Sequence, residues 1–264
     1  MTDPEVARKA AEVGAAIVRE RFGGAHQRHD KGGLDFATDV DIDAERAIVE
    51  VLRRHRPDDH VIGEEGGHTP GSGDGRTWLV DPLCGTANFA AGIPAVAVNV
   101  ALPQAGVAVV AMPFSGEVVV AGPDGARVRV DGDEESLSPR GDSRIVDFDL
   151  DQRPTLPGFA PLDLMADAAF RSAFQPRVTS TSLALTWVAM GRRAAYVTDG
   201  QLADNVHFAA GVTVCLVAGC VVSDLRGGPL TPGAAATGMI AAADKETHAR
   251  LLAMVGRLAG GANG

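Results

Sequence analysis

Apolar residues first recur at helical spacing: Val6, Ala10, Val13 and Ile17, separated by four, three and four positions, form one face of a helix ending near Phe22 and Gly23. A polar, glycine-containing loop follows around Lys31 to Leu34. Thr38 or Asp39 then caps a second helix, which carries Ala44, Ala47, Ile48, Val51 and Leu52 on one side and ends at Pro57. From His60 to Val130 the pattern changes to short apolar runs (VIG, TWLVD, AVAVNVAL, GVAVVAM, EVVVAG, RVRV) divided by Gly, Pro and Ser-Gly turns. That alternation predicts a largely antiparallel meander faced by the two helices.

The polar stretch DGDEESLSPRGDSR separates this half from one in which strands alternate with helices. The strands are RIVDFDL, RAAYVTD, CVVSDL and GMIAAAD; the helices run from Leu162 to Phe170, from Ser182 to Met190 and onward from His207. A last helix carries Leu251, Leu252, Val255 and Leu258, and the GGANG tail is expected to fray. The pattern predicts two lobes, 1–142 with helices on an antiparallel sheet and 143–264 as an α/β lobe.

The chain has 264 residues, 45% of them hydrophobic, enough for one large core or two lobes. A net charge of -10 without a long basic run argues against nucleic acid or an anionic membrane as partner. The start, MTDPEVARKAAEV, lacks the apolar core of a signal peptide, and no run of about 18 apolar residues reads as membrane-spanning. The expected location is the cytoplasm. Three cysteines without a CxxC pair suggest neither a disulfide framework nor a zinc ribbon. Cys215 and Cys220, in an Ala/Val-rich run, read as small core residues.

Three acidic clusters carry candidate chemistry: Asp35, Thr38 and Asp41 in DFATDVD; Glu64 and Glu65 in GEEGG; and Asp81 in DPLCGT. Each lies at a strand end or helix start, where side chains converge on one cleft. Converging carboxylates repel unless cations neutralise them, and hard oxygen ligands favour magnesium. The Gly85-Thr86 pair opening a helix adds backbone N–H donors suited to phosphate. Each signal is weak singly and usually reports a cap or a solvated turn.

Their order is specific. DxxTxxD, then GEE, then WxxDPxxGTxNF in TWLVDPLCGTANF, then a late AAG helix resembles the series of the inositol monophosphatase family, over nearly the whole chain. The resemblance implies a five-layered αβαβα sandwich, an α/β fold with an α+β N-terminal lobe, and a homodimer. It implies that Glu64, Asp81 and the carbonyl of Leu83 bind a first metal, that Asp41 and Thr86 orient the attacking water, and that Glu65 stands beside the metals. The N–H groups of Gly85 and Thr86 match the phosphate cradle, and Lys31 matches, loosely, a lysine of a mobile loop. The resemblance also implies that specificity lies near Thr181 and Asp199, relatives acting on inositol, histidinol, fructose and phosphoadenosine phosphates.

Two departures fall together. Cys84 replaces the second aspartate of DPxDGT, and in NVHFAAG His207 replaces the aspartate of WDxAAG, with Val206 for its tryptophan. Both replaced residues serve the second metal in the family's two-metal scheme. Three readings stand side by side. The site is eroded and holds no second ion. Alternatively, Asp81, Cys84 and His207 hold a changed ion, zinc or manganese in place of magnesium. Or Cys84, its thiol pKa lowered by a helix N-terminus, and His207 form a nucleophile and base for acyl transfer. The leading expectation is hydrolysis of a small phosphorylated metabolite by metal-activated water. Its alternative is a phosphatase-inactive relative that binds a ligand or uses Cys84 and His207.

Overall fold

A computed structural model describes residues 1–73, 75–150, 159–202, 205–230 and 237–261. It divides into two compact units, Met1–Ser136 with Thr181–Leu183 and Val206–Val214, and the remainder.

In the first unit, helix α1 (Asp3–Arg21) starts with Pro4 in its first turn and with the Glu5 side chain accepting the Thr2 N–H at 2.7 Å. Its buried face is Val6, Ala7, Ala10, Ala11, Gly14, Ala15 and Val18. Val13 and Ile17 are only partly buried, so the face is rotated from the predicted one. Close approach explains this: a Cβ on Gly14 would lie 2.7 Å from Ile48 Cδ1 and 3.1 Å from Val98 Cγ1. Small residues, not the largest apolar ones, set the contact.

The predicted loop around Lys31 is instead an antiparallel hairpin of β1 (Arg28–Gly32) and β2 (Asp35–Thr38), turned by Gly32 and Gly33 at φ 106° and 65°. Thr38 caps α2 (Asp39–His55), its hydroxyl accepting the Val40 N–H at 3.2 Å, and Pro57 follows its end. Ala44, Ile48 and Leu52 are buried as expected; so are Asp41 and Glu45 on the same face.

Then come β3 (His60–Gly63), β4 (Gly67–Thr69), β5 (Thr77–Cys84), the short α3 (Thr86–Ala90), β6 (Ala97–Leu102), β7 (Val107–Ala111), β8 (Val118–Gly122), β9 (Gly125–Val130) and β10 (Asp133–Ser136). The strands form one sheet in the order β10-β9-β8-β7-β6-β5-β3-β4, antiparallel except for the β3/β5 pair. The meander is as predicted. The polar stretch after Val130, read as a separator, contributes β10, whose four residues are all exposed. It lacks the apolar alternation of a half-buried strand because it is an edge. α1 and α2 pack on the sheet around Trp78, Val80, Val98, Val100, Leu102, Val107 and Val109. The Trp78 indole N–H donates to Asp59 at 2.9 Å.

The second unit contains β11 (Ile145–Phe148), α4 (Pro161–Ala166), α5 (Ala168–Ala173), β12 (Gln175–Val178), most of α6 (Ser182–Ala189), β13 (Ala195–Gln201), the end of α7 (Val206–Ala218), β14 (Val221–Ser223), β15 (Thr237–Ala242) and α8 (Lys245–Gly261). Its sheet order is β12-β11-β13-β15-β14, with β11 parallel to both neighbours and β15 antiparallel to its own. The single helix expected from Leu162 to Phe170 is two, because Asp167 leaves helical geometry and caps α5 through the Phe170 N–H at 2.9 Å. β12 was not anticipated. Phe148, Phe170, Leu251 and Val255 lie in the core, and Cys215 and Cys220 are buried as expected. Gly260 and Gly261 continue α8; the rest of the tail lies outside the described residues. Both units layer helices on sheets, the expected α/β class. Among the described residues no helix is long and apolar enough to cross a membrane.

Candidate functional site

The end of β5 builds the centre of the site. Pro82 has no N–H for the ladder, and the pairing with β6 slips between Asp81 (opposite Asn99) and Cys84 (opposite Ala97). Asp81 and Cys84 are three positions apart and would point to opposite faces of a regular strand; the bulge turns both into one cluster with His207 from the start of α7. Gly85 then reverses the chain at φ 104°, where a Cβ would meet Thr181 Cγ2 at 2.7 Å. Only glycine serves there.

Asp81 is fully buried. Its Oδ1 accepts the Leu83 N–H at 3.2 Å, and its Oδ2 lies 2.8 Å from His207 Nδ1 and 3.5 Å from Asn99 Nδ2. Burial opposes ionisation of Asp81, but the His207 charge and hydrogen bond outweigh it, so its pKa falls below the ordinary value. For His207, burial disfavours the cation, and the Asp81 charge and hydrogen bond more than offset this, raising its pKa. Cys84 Sγ accepts the Ser182 N–H at 3.1 Å. Burial first, and the Asp81 charge second, push the thiol up to about 11. The expected lowering by a helix N-terminus is therefore corrected: α3 is a single short turn, and a buried carboxylate stands beside the sulfur.

The other acids gather around this cluster. Glu64 Oε2 lies 3.9 Å from His207 Nδ1, and Lys31 Nζ bridges Glu64 Oε1 at 2.9 Å and Glu65 Oε1 at 2.7 Å. Lys31 sits on β1 and holds the GEE turn. Burial, then the Asp81 charge, raise the Glu64 pKa well above the ordinary carboxylate range. Asp41 Oδ2 accepts the Thr38 N–H at 2.8 Å and the Thr38 hydroxyl, while Asp41 Oδ1 stands 2.8 Å from Thr86 Oγ1. Thr86 Oγ1 is also 3.1 Å from the Leu83 carbonyl. Burial raises the Asp41 pKa against these hydrogen bonds. Asp35 is exposed at the start of β2, and Asp199 belongs to the second unit.

Glu45 was missed from sequence. Its carboxylate accepts the N–H groups of Glu65 at 2.8 Å and Gly66 at 2.6 Å, and a Cβ on Gly63 would lie 2.4 Å from its Cδ. It is the buried post under the GEE turn. The signal was an acid four residues after Asp41, on the apolar face of the same helix.

Two donor sets differ in character. Glu64 Oε2 is buried and has no hydrogen-bond partner among the described residues; with Asp81 and the Leu83 carbonyl it makes a set of hard oxygens that fits magnesium. Cys84 and His207 do not fit a second magnesium, since thiolate and imidazole are poor ligands for that ion.

The model of the inositol monophosphatase family matches residues 3–258. The Nus factor SuhB of Pseudomonas aeruginosa is 34% identical over 210 residues, 75% of this chain and 76% of that protein. The inositol-1-monophosphatase of Caulobacter vibrioides is 44% identical over 108 residues, 40% of this chain and 41% of the relative. The fructose-1,6-bisphosphatase/inositol-1-monophosphatase of Aquifex aeolicus is 42% identical over 100 residues, 37% of this chain. The chain thus spans only 41% and 38% of the length of these last two proteins. Among solved structures, the Thermotoga maritima IMPase superposes with a TM-score of 0.77 at 21% identity, covering 98% of this chain and 97% of its own. The extragenic suppressor protein suhB of Bartonella henselae gives 0.77 at 25% identity, covering 95% and 97%. With the motif order and the layered α/β units, these matches place the chain in the inositol monophosphatase family.

Proposed function

We propose that the chain hydrolyses a small phosphomonoester with a water activated by Asp41 and Thr86, in the presence of a divalent metal. The observation that carries this reading is the Thr86 Oγ1 to Asp41 Oδ1 contact of 2.8 Å beside the Leu83 carbonyl. The single hydroxyl proton of Thr86 lies on the side of these acceptors, which leaves an oxygen lone pair for a water proton. Asp41 is the terminal base, and burial, by raising its affinity for a proton, suits it to that task. Thr38 holds the other Asp41 oxygen and fixes the carboxylate plane. Glu64, Asp81 and the Leu83 carbonyl would hold magnesium, which supplies Lewis-acid polarisation of water and phosphate. Gly85 and Thr86 N–H groups would donate to phosphate oxygens, and Glu65, held by Lys31, would stand beside the metal.

A specific observation favours a second reading. Asp81 Oδ2 is engaged by His207, and Lys31 spans Glu64 and Glu65, so the protein's own cations neutralise the acids that relatives would devote to metals. On that reading the chain binds a phosphorylated ligand without turnover. Its net charge of -10 supports a small-molecule partner over nucleic acid or an anionic membrane. A homodimer in the cytoplasm completes the proposal on family resemblance and sequence.

The test is phosphate release from a panel of small phosphomonoesters with magnesium, manganese or zinc, by the native chain and by a Cys84→Asp/His207→Asp variant. Turnover by the native chain supports the hydrolase. Turnover by the double variant alone establishes the second reading, and inertness of both refutes the phosphatase proposal.

A further inference from the structure

We propose that Asp81, Cys84 and His207 form a binding site for a thiophilic divalent cation of the zinc class, with one coordination position left open. One ligand atom from each, a carboxylate oxygen, a sulfur and a ring nitrogen, lies within 4.8 Å of the other two. Tetrahedral zinc with bonds of about 2.0–2.3 Å needs ligand separations of roughly 3.3–3.6 Å, close to the spacing the three atoms already have. Oxygen, nitrogen and sulfur together select zinc over magnesium, whose ligands are oxygens.

The surroundings are those of ligands. A cysteine that merely fills core volume needs no hydrogen-bond donor, yet the Ser182 N–H points at Cys84 Sγ at 3.1 Å. Donors also hold Asp81: the Leu83 N–H at Oδ1, 3.2 Å away, and Asn99 Nδ2, 3.5 Å from Oδ2. Asn99 is itself fixed, its Nδ2 2.9 Å from Ser182 Oγ. Such outer hydrogen bonds orient ligating side chains and stabilise their charge. The bulge at Pro82 is what brings sulfur and carboxylate to one side of β5. Binding displaces the thiol proton of Cys84 and the proton shared by His207 Nδ1 and Asp81, both to solvent. Three protein ligands and an open position are the arrangement of zinc sites that bind or polarise a further ligand rather than only staple a fold. The inference goes beyond the phosphatase reading and stands whether or not a phosphate ester is turned over.

The experiment uses the full chain, stripped with chelator and titrated with zinc or cobalt(II) alone. The expected result is one zinc per chain retained through gel filtration, and a thiolate-to-cobalt charge-transfer band on cobalt loading. Cys84→Ser abolishes the band and weakens zinc binding by about tenfold or more, while Cys215→Ser and Cys220→Ser change neither. His207→Ala, at a partly exposed helix start, weakens zinc by a similar factor and serves if Cys84→Ser does not fold. Failure to retain zinc, a band that survives Cys84→Ser, or unchanged affinity in His207→Ala overturns the proposal. Metal content and absorption are read without substrate, so loss of the phosphatase reading leaves this result interpretable.

Discussion

Replacing Glu45 by Gln leaves the shape of the post under the GEE turn and removes its charge. In the native unit its two oxygens accept backbone N–H groups at 2.8 and 2.6 Å, and the residue is 5% exposed, so water cannot substitute for them. Hydrogen bonds to a charged partner are worth about 1.5–3 kcal/mol, against about 0.5–1.5 for a neutral one, and a buried donor left unsatisfied costs about 1–3. With Gln, one N–H keeps a neutral acceptor and the other faces an NH2 group. The gross loss is about 2–4 kcal/mol. Part is returned, because burial raises the Glu45 pKa and the neutral amide escapes that penalty. The net expectation is a loss of about 2 kcal/mol, or about 4–8 °C in melting temperature for a chain of this size. The two tryptophans, Trp78 and Trp187, fall in different units, so a Trp187→Phe background makes fluorescence of Trp78 report the first unit alone. Urea and thermal unfolding are then followed with and without Glu45→Gln. Glu50→Gln is the control: its ion pair with Arg54 leaves both side chains 69% and 66% exposed and contributes under about 1 kcal/mol. If Glu45→Gln falls within about 0.5 kcal/mol of native, as the control should, the supporting role assigned to Glu45 is wrong.

Other outcomes follow from the same geometry. Gly85→Ala should destabilise the first unit by about 2–5 kcal/mol, combining the left-handed backbone with the 2.7 Å approach to Thr181; an unchanged melting curve refutes the close contact. Thr86→Ala should lower phosphate release by about a hundredfold or more in protein that remains folded, and activity within about twofold of native would remove Thr86 from the reaction. Native Cys84, raised to about 11, should resist iodoacetamide at neutral pH, whereas rapid labelling would restore the nucleophile reading. Hydrogen bonds from Arg76, more than those from Arg56, hold the Asp3 pKa below its usual 3.8 against a burial penalty. A depressed carboxylate stabilises above its unfolded pKa and loses that contribution as pH falls through the folded one. Asp3→Asn should therefore be less stable than native at pH 6, with the gap closing as the pH falls below the usual 3.8 and through the depressed folded value; a pH-independent gap would contradict the ion-pair account.

Elements with strong periodicity or turn chemistry were legible: the meander, the Thr38 cap, the Pro57 stop and the strands of the second unit other than β12. The signature around Asp81 led to Asp41, Glu64, Glu65, Cys84, Thr86 and His207 because their order is specific, although each is ordinary alone. What was not legible has physical causes. Ala7, Ala11 and Gly14 lie at the helix contact because they are small, a property hydropathy ranks low. The β1/β2 hairpin presents exposed RHDKG, whose strand character comes from pairing and not from an apolar face. Glu45 interrupts an apolar stripe, and an isolated acid reads as solvated until the N–H groups it receives are seen. The thiol shift of Cys84 depends on Asp81 beside it in space, which spacing along the chain does not give.

The acidic strand β10 guards the open edge of the first unit's sheet. Its Glu134 faces Arg129 across the edge of the sheet, and none of its four residues is buried. Without the strand, the backbone of β9 would lie bare together with Val128 and Val130. Identical copies could then zip edge to edge and precipitate as the protein was concentrated. Four residues that bury nothing thus govern shelf life: the full chain should remain dispersed at concentrations where a variant with Asp133, Glu134 and Glu135 all neutralised clouds.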